Sequence, residues 1–150
     1  MVANTVAVQQ DNAFLRAFNG SLTSTLRWQD LDAFWNILKA RADAGWYIYA
    51  LGETPPTAPA DAVRVGKFIA EMDALLRKEH TEDYCAIVFA DNLHTPRLVK
   101  IFDPNNLGVS CGSSTNPPLP GWILSLDPPA DLVAMAQSAS RRRWWQKIFT

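Results

Sequence analysis

The stretch from Cys85 to Phe102 constrains the fold of this chain more than any other. Cys85 to Ala90 is nearly all apolar, as in a strand covered on both faces or heavily on one. Asp91 to Pro96 carries turn chemistry, because Asp and Asn side chains bond nearby backbone and Pro fixes φ. Arg97 to Phe102 then alternates Arg97, Val99 and Ile101 against Leu98, Lys100 and Phe102, the period of a strand. The order strand, turn, strand predicts a β-hairpin. Cys85, at the start of the apolar run, is expected in the core.

Helical periodicity surrounds this hairpin. Ala62, Val65, Phe68, Ile69, Met72, Leu75 and Leu76 form an unbroken apolar stripe reaching about His80, with Arg64, Lys67, Glu71, Asp73, Arg77 and Lys78 on the other side. Thr57 is the expected N-cap, with Pro59 in the first turn. Leu31, Phe34, Trp35 and Leu38 predict a second helix over about 28–43. Asp30 and Asp32 suit its positive end, Lys39 and Arg41 its negative end, and Gly45 is the expected stop. Asp11 to Phe18 predicts a short helix ended by Asn19-Gly20, and 21–25 reads as a linker. Trp46 to Leu51 and Trp122 to Leu126 have the aromatic and β-branched content of strands. Asp127 is expected to cap a final helix with Pro128 and Pro129 in its first turn. Leu132, Met135, Ala136 and Ala139 are its weak apolar stripe.

These elements predict an α+β two-layer sandwich. It has a four-stranded, mostly antiparallel sheet with two to three helices packed on one face. The first strand reaches the second through a helix, so the two are parallel or not adjacent. The 150 residues are read as one domain, with 1–25 as an N-terminal arm and 128–150 as a C-terminal helix and basic-aromatic tail. A content of 48% hydrophobic and 19% charged residues is that of a folded chain, not a disordered one. The net charge of −1 excludes a global pull toward nucleic acid or acidic lipid. The N-terminus has no basic n-region, and no stretch approaches the roughly 20 apolar residues of a membrane span. A soluble cytoplasmic protein is therefore expected. Two cysteines do not make a disulfide framework.

Chemistry is sparse. The G-x-G-x-x-G, P-loop and G-x-S-x-G patterns are absent, as is metal-ligand spacing of Cys and His, so neither a cofactor nor a metal is expected. Cys111, in Ser110-Cys111-Gly112-Ser113, lies in the longest stretch without periodicity. A Gly/Ser-rich loop exposes a thiol and can stabilise its thiolate through backbone N–H groups. With His94 or His80 as base, Cys111 is the candidate catalytic thiol. Asp103, Asn105, Asn106, Ser110, Cys111, Gly112 and Ser113 form the candidate binding loop, within 103–120. Arg142 and Trp145 are candidates in the tail, whose aromatic residues equally suit packing on the sheet or on another subunit. Asp91 and Asp103 follow strands, where turn formation explains them. The expectation is a non-catalytic protein-binding domain that uses the 103–120 loop, with a protein partner or a second copy. The alternative is a thiol enzyme or redox protein centred on Cys111. The tail is the one feature that suits nucleic acid or a membrane surface, and the slightly acidic chain argues against it.

Overall fold

The computed structural model describes residues 12–83, 86–105, 119–132 and 139–149. Four helices and five strands follow in chain order: α1 (Ala13–Phe18), β1 (Thr23–Ser24), α2 (Trp28–Ala40), β2 (Tyr47–Ala50), α3 (Ala62–Glu79), β3 (Val88–Ala90), β4 (Leu98–Ile101), β5 (Trp122–Ser125) and α4 (Ala139–Lys147). The sheet order is β1-β3-β4-β5-β2, and every pair is antiparallel. The α+β architecture with helices on a sheet is as the residue pattern predicts. The strand count is five rather than four, because 23–24 pairs with β3 instead of acting as a linker. Two residues are too few for an alternation signal, so only the pairing partner reveals this strand.

The hairpin of β3 and β4 is present, held by an unusually saturated turn. Asp91 Oδ1 accepts from the N–H groups of Asn92, Arg97 and Leu98, and Asn92 Oδ1 accepts from His94 and Thr95. The first long strand, β2, does not neighbour the hairpin's first strand. It pairs antiparallel with β5, the last strand in sequence.

Alternation on the strands divides the core in two. Val88, Ala90, Val99, Ile101, Trp122, Leu124 and Ala50 face the stripes of α2 and α3. The helix α4 joins this layer through Trp144 on Trp122 (5.4 Å between ring centroids) and Trp145 on Phe68 (6.1 Å). Three helices thus cover one face. The opposite face places Leu98, Ile123, Tyr49 and Leu51 under Phe14 and Phe18 of the short helix α1.

Helix ends depart from expectation for local reasons. The cap of α3 is Asp61, whose Oδ1 accepts from Arg64 N–H at 2.8 Å, so the helix starts after Thr57 and Pro59. The helix α2 stops at Ala40, and Trp46 Nε1 donates to the Arg41 carbonyl (3.0 Å) just beyond it. Gly45 (φ 97°) serves the turn into β2 rather than the helix end itself. Asp127 does not cap a helix. Its N–H donates to Ser125 Oγ and its carboxylate meets Arg97, while 128–132 is not helical. The described C-terminal helix is formed instead by Ala139–Lys147, which includes the basic-aromatic segment. Met135 and Ala136 lie outside the described residues. No described helix is long and apolar enough to cross a membrane.

Candidate functional site

The residues proposed from the sequence separate into three places. Asn106, Ser110, Cys111, Gly112 and Ser113 lie outside the described residues, as does Cys85. Asp103 is 7% exposed, and its carboxylate receives Arg141 in bidentate fashion: Nε to Oδ2 at 2.8 Å and Nη2 to Oδ1 at 3.0 Å. Arg141 Nη2 also reaches Glu79 Oε1 at 3.1 Å. This joins the end of β4, the end of α3 and the start of α4. The hydrogen bonds that Arg141 donates to Asp103, with Coulomb attraction to Asp103 and Glu79, hold its guanidinium above its ordinary range, against the burial that lowers it. Asp103 also accepts the Asn105 N–H at 3.0 Å, so it is turn former and ion-pair partner at once. Asn105 itself is exposed.

The tail residues divide the same way. Trp145 is half-buried between Phe68 and Phe149, and Arg142 points to solvent. His80 is the C-cap of α3, where its N–H donates to the Leu76 carbonyl and its ring lies 6.1 Å from that of Trp28. His94 sits exposed in the β3–β4 turn. Among the described residues no group of three His, Cys, Asp or Glu could hold a metal ion.

Two surface depressions remain. A cleft of about 440 Å³ between α2 and α3 is lined by Asp32, Trp35, Asn36, Lys39, Ile69 and Asp73, among others. Most of its polar chemistry is already satisfied within the protein. Trp35 Nε1 donates to Asp73 (3.1 Å), and Arg77 at its rim binds both Asp73 and Asp32. A ligand there would have to displace these bonds.

The second depression, about 370 Å³, differs in kind. Its floor and walls are Thr23, Ser24, Thr25 and Leu26 on one side and Ala33, Phe34 and Ile37 of α2 on the other. Leu93 and His94 of the β3–β4 turn, with Asp30, complete the lining. Leu26 is 48% exposed and adds apolar surface to this lining. The strand β1 is an edge strand, bonded on one side to β3, with Thr25 N–H donating to the Val88 carbonyl at 3.0 Å. Among the described residues its other side carries no strand of this sheet. A short edge strand beside a helix, with apolar side chains between them, offers both backbone and side-chain contacts to an extended chain. Residue reading missed this groove, because β1 has no periodicity. The one available signal was Leu26, an apolar residue before the helix with no place in its stripe.

Comparison of the chain with protein-family models, with curated proteins and with solved structures gives no match.

Proposed function

We propose that this domain is a non-catalytic protein-binding module that takes an extended segment of a partner into the groove between β1 and α2. The observation that carries the reading is the groove itself: an edge strand and an apolar helix face around one half-exposed leucine. Backbone bonding along β1 supplies affinity of the strand-addition kind, and the space over Phe34 and Ile37 takes an apolar side chain. A volume of about 370 Å³ is in the range of sites that enclose small ligands or a few side chains. Asp30 is the one acidic residue of the lining, which has no Lys or Arg, so the partner segment carries a basic residue beside its apolar anchor.

The test is selection of linear peptides on the intact protein, followed by amide-shift mapping. Shifts are expected at 23–26 and 33–37. Ala33→Arg fills the groove from an exposed helix position and should weaken binding at least tenfold. Ala74→Arg, at an exposed position of α3, should not. Peptides that bind Ala33→Arg as well as the parent protein would overturn the reading. Deleting 106–118 examines the 103–120 loop in the same assay, and unchanged affinity assigns binding to the groove alone.

A further inference from the structure

Two cations of this chain are drawn partly out of water, and the fold treats them oppositely. Arg141 receives two carboxylates. Lys100 receives a phenyl ring: its Nζ lies 3.7 Å from the centroid of Phe18. Lys100 sits on β4, the central strand of the sheet, on the face covered by α1. Its cross-strand neighbours are Phe89 on β3 and Ile123 on β5.

Among the described residues, neither the helix over it nor the strands beside it supply a carboxylate. The helix α1 carries one charged residue, Arg16, which is exposed and of the same sign. The strands β3 and β5 carry no ionisable group. Across the sheet, the ionisable groups are Tyr49 of β2 and Asp131, whose charge acts on Tyr49. Among the described residues Lys100 has no ion pair. An ammonium over a phenyl ring is attracted to it more weakly than to a carboxylate. A half-buried amine in such surroundings loses hydration of its charged form, and the attraction of the ring offsets only part of that loss.

We propose that Lys100 is a nucleophilic amine that forms an imine with small aldehydes, anionic ones preferred because the one charged residue of the covering helix, Arg16, is positive. The ammonium first releases its proton to solvent. The Nζ lone pair attacks the carbonyl carbon to give a carbinolamine, which loses water and leaves a C=N bond to Nζ. No electrons are exchanged with any other species. Burial supports this by lowering the Lys100 pKa from its ordinary value to about 8. About a quarter of Lys100 is then free amine at pH 7.5, against roughly one in a thousand for an ordinary lysine.

The experiment treats the intact protein with glyoxylate and cyanoborohydride, then quantifies each modified lysine by peptide mass spectrometry. Lys39, Lys67 and Lys78, all exposed, are the internal standards. At pH 7.5 Lys100 should be modified at least about tenfold faster than these, and the ratio should fall steeply by pH 10.5, where the free-amine advantage of Lys100 is lost. Two results overturn the proposal: equal or slower labelling of Lys100 at pH 7.5, or a ratio that does not change with pH. Lys100→Arg should remove the fast-reacting site and leave the other three rates unchanged. Acetaldehyde, uncharged, should show a smaller ratio than glyoxylate, and an equal or larger one overturns the anionic preference.

Discussion

Arg141 is the residue on which the position of the last helix depends. It is 6% exposed and makes three charge-assisted hydrogen bonds, two to Asp103 and one to Glu79. Ion pairs of this kind add little net stability when intact, because both charges must be dehydrated. Removing one partner is a different matter, since the other charge stays buried alone. Arg141→Ala is expected to destabilise the fold by about 3–5 kcal/mol in urea denaturation. Changing Arg141 to Met and Asp103 to Leu together should recover most of that loss. A loss below about 1 kcal/mol in the single variant would mean the network is open to water. Glu79 is the more exposed partner and contributes less. Asp103 thus has a sufficient structural role in its pairing with Arg141, whatever the rest of its loop does.

At the scale of elements, α3 is the best-patterned helix, and its register is fixed at its N-terminus. Asp61 accepts the Arg64 N–H, while Thr57 lies four residues upstream in the loop that follows β2. That loop returns to the sheet edge through Ala60 N–H donating to the Trp46 carbonyl at 2.7 Å. Asp61→Ala should cost about 1 kcal/mol in thermal or urea unfolding. Thr57→Ala should change stability by less than about 0.5 kcal/mol, as exposed loop substitutions do. The reverse order would restore Thr57 as the cap. The helix α4 is held differently: its aromatic residues pack inward and its first turn is held by Arg141. Among the described residues the buried Trp122 indole N–H has no hydrogen-bond partner, and its ring meets that of Trp144 edge to face. The Trp-rich C-terminal segment is therefore, on its inner side, a closing piece of the core.

For the whole molecule, the informative fact is that β5 pairs with both β4 and β2. Among the described residues, the strand β2 has its one sheet partner, β5, some seventy residues later in the chain. A chain ending at Asn105 would keep every element from α1 to β4 yet leave β2 unpaired and Trp46, Tyr49 and Ala50 without the neighbours that cover them. Such a chain is expected to show no cooperative unfolding transition by circular dichroism, because its two sheet portions are no longer joined. A sharp transition in that chain would show that β1, β3 and β4 fold with α2 and α3 alone. The distribution of the core on both sheet faces gives the same result: the α1 layer rests on Ile123 of β5 as well as on Leu98 of β4.

The residue pattern alone determined what is local. Apolar stripes at helical spacing placed α2 and α3, because burial of one helix face repeats along a single segment. Alternation placed β4, and Asp91-Asn92 with Pro96 placed the turn before it, because those side chains bond their own neighbourhood. The assignment of helices to a sheet followed from these. Only the tertiary structure decided what depends on partners far away in sequence. The strand 23–24 exists because β3 offers it a ladder, and β5 lies inside the sheet because β2 needs it. Asp103 and Arg141 lie 38 positions apart, so nothing local links a turn-forming aspartate to a basic tail. Lys100 gave a faint local signal, a charged residue between Leu98 and Phe102 on one strand face. That a phenyl ring lies over Lys100 was settled only by where α1 came to rest.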